Sequence, residues 1–183
     1  MSSDVFMRAA QSQAVLAALE RFPPSERREI LARFGARGVE EVRSALPVSW
    51  LPMEVHMQLS DSLRDVSGSD AAVRAFREAM TMTFDRPLLR SFVSLTTGIF
   101  GVSPQGLLKR GDRVYEQVTR NAGALSHVAL GERECEVHLV GFPAKLFTFD
   151  CYVDGLRGCL LASLDLCKAK GSVDVLARDA RGD

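Results

Sequence analysis

The sequence predicts an α+β protein, dominated by helices, with a small antiparallel sheet (hairpin, long helix, last strand) in its C-terminal third. From the N-terminus to about residue 121, apolar side chains recur at steps of three and four residues, the period of an amphipathic helix. From residue 124 the period changes to two, the period of a half-buried strand. Helices followed by strands, rather than alternating with them, are typical of α+β domains.

The composition is that of an ordinary globular chain: 183 residues, 46% hydrophobic and 25% charged. Lys plus Arg equals Asp plus Glu, at 23 each, and the resulting zero net charge argues against nucleic-acid binding by bulk electrostatics. The N-terminus lacks the basic and apolar regions of a secretory signal, and no apolar run approaches the ~20 residues of a membrane span. We therefore expect a cytoplasmic protein with no membrane span and no nucleic-acid partner.

Residues 1–45 are predicted to form a helical extension that packs on the main domain. One helix runs from about Met7 to Arg21 and is ended by Pro23-Pro24. A second covers Glu26–Phe34, and Gly35 suits its C-terminal cap.

The segment that holds the only tryptophan is predicted to be the start of a buried helix in the main domain, residues 46–178. Ser49 can cap a helix that runs through Leu63 and carries Pro52 in its first turn, where a missing N–H costs little. Trp50 is expected to be a core anchor. The side chains that share its face are candidates for a ligand pocket or for close packing: Trp50, Met53 and Met57.

His56 lies at the edge of that face, and two roles are open to it. A general base needs an orienting acceptor and a nearby reactive group, and no serine or cysteine motif adjoins His56 in the sequence. A packing role at the boundary of the core is therefore the favoured interpretation over a catalytic or ligand role.

Three further helices are predicted in the middle of the chain. The first covers Asp70–Phe84, with apolar side chains at helical steps. The second, about Pro87–Phe100, is apolar nearly all round and should be central, which makes its Phe92 another pocket candidate. The third is opened by Ser103-Pro104 and extends to about Asn121.

A β-hairpin is predicted from Ala124–Leu130 and Glu134–Val140, which alternate in polarity around a glycine-containing turn. If it turns on Glu132 and Arg133, His127 and His138 face each other and could share a metal ion. A slip of one residue separates them to opposite faces. Because the alternation places both on the wet face, we interpret them as solvated side chains and expect no metal site.

The last long helix is predicted within Leu146–Cys167, followed by a strand at Val173–Leu176 and a disordered tail, residues 179–183. A stripe of small side chains runs along this helix: Gly155, Gly158, Cys159 and Ala162. Glycine costs about 1 kcal/mol relative to alanine inside a helix, so two of them indicate a compensating close approach. The approaching group could be another backbone, a bound molecule or a neighbouring subunit. We expect the stripe to be the closest-packed surface of the domain and to lie against the sheet or the Trp50 helix.

The sequence offers little for catalysis. It contains no phosphate loop, no dinucleotide-binding glycine motif, no Gly-x-Ser-x-Gly and no His-Glu-x-x-His. The four cysteines include no Cys-x-x-Cys pair, and residues eight apart on a helix are too distant for a disulfide, so free thiols are expected. We predict no catalytic residues, no cofactor and no enzymatic activity.

A set of short motifs nevertheless resembles a known family: Ser49-Trp50-Leu51-Pro52, Phe142-Pro143 after a strand, and Cys151-x-x-x-Gly155-x-x-Gly158 at the start of a long helix. From about residue 45 to 177 the chain resembles an uncharacterised paralogous domain family expanded in myxobacteria. More distantly, it is similar to the fold of the haem–nitric-oxide-binding domains, the four-vinyl-reductase-like sensor domains and the Golgi transport-particle subunits. The resemblance implies an α+β fold that encloses an apolar pocket.

The chain departs from these relatives where they hold haem or zinc. The haem-binding Tyr-x-Ser-x-Arg motif is not matched by the segment from Arg113 to Arg120, and only Cys167 lies where zinc-holding relatives have paired cysteines. The resemblance thus implies a non-enzymatic sensory or regulatory domain whose pocket takes a small hydrophobic ligand. The alternative is a protein–protein interaction module, a homodimer or a docking domain, whose core is filled by its own side chains.

Overall fold

A computed structural model describes residues 4–84, 103–143 and 150–176 of the chain. The predicted fold class is confirmed: helices dominate, and the strands form small antiparallel sheets. The predicted helix at Pro87–Phe100, with its pocket candidate Phe92, and the predicted tail lie outside the described residues.

The elements follow one another from an N-terminal strand to a long C-terminal helix. The helices are α1 (Ala9–Ala18), α2 (Pro24–Phe34), α3 (Ala36–Ser44), α4 (Met53–Ser67), α5 (Ser69–Phe84), α6 (Pro104–Leu108), α7 (Gly111–Val118) and α8 (Asp150–Leu166). The strands are β1 (Phe6–Arg8), β2 (Trp50–Pro52), β3 (Thr119–Arg120), β4 (Ala124–Ala129) and β5 (Cys135–Val140). None of the helices in the described ranges combines the length and apolar character that a bilayer span requires.

The strands form two separate sheets. β1 is the centre of a three-stranded antiparallel sheet, in which Met7 pairs with Leu51 on one side and with Thr119 on the other. β4 and β5 form the predicted hairpin. The three-stranded sheet was not predicted, because β1 and β2 lie in segments that were predicted to be helical.

The Trp50 segment begins as a strand and becomes a helix three residues later than predicted. Leu51 precedes a proline, and such residues are biased towards extended backbone. Pro52 is itself extended, at φ −51° and ψ 134°, and the N–H of Met53 donates to the Val5 carbonyl at 2.9 Å. Helix α4 therefore starts at Met53, and Trp50 is not on its face.

The boundary predicted at residue 45 does not divide the structure. β1 is the central strand of its sheet, and α1 to α3 share one hydrophobic core with α4 and α5. Buried members from the two sides of that boundary include Val15, Leu19, Ile30 and Val42 before it, and Leu59, Leu63, Ala72 and Phe76 after it. Residues 4–45 are thus integral to the domain.

The predicted helix from Pro104 to Asn121 is interrupted. Ser103 caps it as expected, accepting a hydrogen bond from the Gly106 N–H at 3.1 Å. The helix ends at Leu108, α7 restarts at Gly111, and Thr119 is extended because it pairs with β1. The pairing of Thr119 with a strand distant in the chain ends α7 earlier than predicted. The local period does not reveal this pairing.

The predicted last strand is also absent from the described residues. Residues 171–176 carry no strand, and the carbonyl of Val173 accepts a hydrogen bond from Arg157 Nε of α8 at 3.3 Å. The segment is therefore held by a helix side chain rather than by a neighbouring strand.

Candidate functional site

Trp50 is not the core anchor that the sequence predicted. Its indole is half-buried, and the Arg8 guanidinium lies over the ring, 3.7 Å from the centroid. Arg8 also donates to the carbonyls of Val48 and Gln117, the latter at 3.2 Å from Nε. Trp50 therefore stabilises the junction of β1 and β2, a role set by the strand pairing of Arg8 with Trp50.

Met53 and Met57 are fully buried, each with 0% exposure. They belong to a second core cluster whose other members come from β1, α7, α8 and the end of the hairpin: Val5, Met7, Tyr115, Ala122, Phe142, Cys151 and Tyr152. These two pocket candidates are thus covered by the side chains of the protein itself.

Gly158 makes a close approach, but to a different partner from the one predicted. A Cβ on Gly158 would lie 2.6 Å from the Val73 carbonyl oxygen and 2.8 Å from the Arg77 nitrogen, both on α5. We call this contact between α5 and α8 the seam. The expectation that the stripe packs against the sheet or the Trp50 helix was therefore wrong.

The other candidates on the stripe are less confined. A Cβ on Gly155 would lie 3.5 Å from the Phe76 ring, an ordinary van der Waals contact. Cys159 is half-buried, and desolvation raises the pKa of its thiol to about 12. All four cysteines are free. The backbone of α5 occupies the space against Gly158, so the stripe serves helix packing.

The ion pairs of two aspartates on α8 flank the seam. Asp154 of α8 is only 4% exposed and accepts hydrogen bonds from Arg64 Nε at 2.8 Å and from Ser69 Oγ at 2.7 Å. Further along, Arg77 forms a bidentate pair with Asp165, and its hydrogen bonds lower the pKa of that carboxyl. Helix α8 is therefore fixed to α4 and α5 by polar contacts as well as by packing.

His56 is buried and hydrogen-bonded, at 6% exposure, with Nδ1 3.0 Å from Ser12 Oγ and its ring against Phe76. The packing interpretation places it correctly, but Ser12, 44 residues away, could not be found from local sequence. A serine–histidine pair is the start of a nucleophilic site. Here Ser12 is 0% exposed, and burial lowers the pKa of His56 to about 4, so the pair is a neutral core contact.

The register of the hairpin separates the two other histidines. His127 pairs with Val137 and His138 with Ser126, one residue away from the arrangement in which they would face each other. His138 is exposed and hydrogen-bonds to Glu136 at 2.8 Å. His127 lies on the inner face of the hairpin, the face turned towards the helices. This position corrects the interpretation of His127 as a solvated side chain.

That inner face closes a cleft between the hairpin, α6, α7 and α8. The cleft has a volume of about 480 Å³. Its lining is contributed by Leu108, Lys109, Gly111, Asp112, Leu125, Ser126, His127, Ala129, Val137 and Leu160. The Nε2 atom of His127 is inaccessible to solvent and has no hydrogen-bond partner among the described residues.

The hairpin is held over the cleft by the second core cluster. The Tyr115 hydroxyl donates to the Ala122 carbonyl at 2.9 Å and lies 2.6 Å from the Tyr152 hydroxyl, and burial raises the pKa of Tyr115 to about 12. Phe142 stacks on Tyr152 with ring centroids 4.5 Å apart. Gly123, at φ 79°, allows the chain to pass against the end of β5, where a Cβ would lie 2.5 Å from the Val140 carbonyl oxygen.

Comparisons of the chain with protein-family models, with curated proteins and with solved structures found no match. The family resemblance therefore stays a prediction. Among the described residues, no group of three histidine, cysteine or acidic side chains is arranged to hold a metal ion.

Proposed function

We propose that the protein is a non-enzymatic regulatory domain that binds a small, mainly apolar molecule in the cleft beneath the hairpin. The observation that carries the proposal is the cleft itself, which has a volume of about 480 Å³ and a largely apolar lining that includes His127.

The size and lining of the cleft support this proposal. Binding sites for small molecules have volumes of about 300–1,000 Å³ and combine apolar walls with a few polar groups that fix orientation. Leu108, Leu125, Val137 and Leu160 supply the apolar surface. His127 supplies a nitrogen that donates or accepts according to its tautomer.

Native mass spectrometry of the purified chain, followed by solvent extraction, tests the proposal. We expect a bound molecule of low mass in the wild type and in Leu161→Trp, a half-buried neighbouring position. Leu160→Trp should lose it because the indole fills the cleft. A wild type that carries no bound molecule and takes up no added aromatic probe would contradict the proposal.

A second candidate function, a protein–protein interaction module, is favoured by a different observation. Met53, Met57 and Gly158 are covered by the protein's own side chains and backbone, as a self-filled core requires. The same mass spectra test this function through subunit number. A stable dimer that carries no small molecule would favour it over ligand binding.

A further inference from the structure

We infer that the molecule bound in the cleft is an amphiphilic acid, with an apolar body and one anionic oxygen group, a carboxylate or a phosphate. The inference rests on the proposed function of the cleft and adds the chemical class of its ligand. It is drawn from a second, adjoining hollow that is lined mainly by charged residues.

The second hollow lies at the junction of α6 and α7 and has a volume of about 360 Å³. It is lined by Gly106, Lys109, Arg110, Asp112 and Arg113. Lys109 and Asp112 line both hollows, so the apolar and the polar spaces meet at these two side chains. A single elongated molecule can therefore contact both.

The charges of the second hollow favour an anion, since the cations Lys109 and Arg113 outnumber the single carboxylate of Asp112. Lys109 and Arg113 form no ion pair within the part of the chain that the structure describes. Both side chains are donors only, so the ligand group that matches them is an acceptor. Charged acceptors form the strongest such hydrogen bonds.

The apolar cleft restricts the chemical nature of the rest of the ligand. Leu108, Leu125 and Leu160 offer no polar side-chain atom, so the body that contacts them is hydrocarbon or aromatic. The anionic group then lies where the two hollows adjoin, next to Lys109, and there it keeps most of its hydration. This arrangement predicts that affinity depends on both the ring and the acid.

Three probes with the same ring separate these contributions: 2-naphthol, 2-naphthoate and 2-naphthyl phosphate. Their dissociation constants are measured by equilibrium dialysis with the full chain at low salt. We expect at least one of the acids to bind about tenfold more tightly than 2-naphthol, because charge-assisted hydrogen bonds are about twice as strong as neutral ones. Added salt should reduce that preference, since the cations are near the surface.

Two variants locate the effect. A double variant, Lys109→Gln with Arg113→Gln, should bind the acids no more tightly than 2-naphthol. The control Arg133→Gln removes an exposed cation from the hairpin turn and should retain the preference. Preference for the carboxylate or for the phosphate identifies which acid the site takes.

The inference is overturned if 2-naphthol binds as tightly as both acids. In that case the proposed function still stands, provided that Leu160→Trp abolishes the binding of the probes. It is also overturned if the double variant keeps the acid preference. If none of the three probes binds although a molecule co-purifies with the wild type, the inference alone is overturned. If nothing co-purifies either, or if Leu160→Trp binds all three probes as the wild type does, the proposed function itself is wrong.

Discussion

The spaces on two sides of helix α8 differ in how completely they are filled. At the seam, Gly158 meets the backbone of α5 so closely that a methyl group would not fit. Two residues further along, Leu160 lines a cleft of about 480 Å³ that also contains an unpartnered imidazole nitrogen. The small residues thus mark a contact between helices, and the candidate site lies where the helix has a large side chain.

The largest expected effect tests how tightly the seam is closed. Gly158→Ala should lower the free energy of unfolding by about 3 kcal/mol, because the new Cβ overlaps Val73 and Arg77 backbone atoms that cannot move independently of α5. Gly155→Ala is the matched control, since a methyl group has room beside Phe76. It should be neutral or stabilising by up to about 1 kcal/mol, from helix propensity. Equal urea denaturation curves for the two variants would contradict a closed seam.

A second prediction concerns the buried His56, whose ring packs on Phe76 near the seam. Its folded-state pKa of about 4 lies below the unfolded value of 6.5, so the unfolded state binds more protons between these values. Stability therefore falls as the pH is lowered through this window. At about pH 4.5 the loss from this group should be about 2 kcal/mol relative to neutral pH.

The measurement compares denaturation of the wild type and His56→Asn at both pH values. The variant should lack this part of the acid destabilisation, while His138→Asn, at an exposed position, should behave as the wild type does. If His56→Asn and the wild type lose stability equally on acidification, His56 is not held neutral in the core.

The two ion pairs beside the seam should differ in their contribution. Asp154→Asn should cost about 1.5 kcal/mol, because the buried carboxylate accepts from Arg64 and Ser69, although the Arg64 side chain is 35% exposed. Asp165→Asn should cost less than about 1 kcal/mol, since both partners there are about 40% exposed. Thermal denaturation in low and high salt checks both values; the reverse order would show that the surface pair fixes α8.

A small effect is expected on the cleft side of the helix. Leu160→Ala should cost about 1 kcal/mol, because the half-buried side chain faces a cleft and its removal leaves no closed cavity. A loss as large as that of Gly158→Ala would show that the cleft wall is part of the packed core.

Local patterns predicted α5, the hairpin and the glycine that ends α2 because their signals lie within a few residues. The strand at Trp50 and the end of α7 could not be predicted in this way, since both depend on pairing with β1, more than 40 residues distant in the chain. Chain-distant pairing often overrides local propensity in this manner.

The candidate site was predicted even less completely. Gly158 was singled out by the cost of glycine in a helix, a signal that indicates closeness without naming the partner. His127 was assigned to the wrong face because one residue of register reverses every side chain in a hairpin. The alternation of Leu125 and His127 with exposed neighbours marks the inner face only once the register is known.

The most direct test of where a ligand binds is a titration of methyl-labelled protein with 2-naphthoate, followed by NMR. The aromatic ring should shift the methyl resonances of Leu125, Val137 and Leu160, which line the cleft, and leave those of Val73 at the seam unchanged. Shifts at Val73 with none at Leu160 would contradict the account, because they would place the ligand where the structure leaves no room for it.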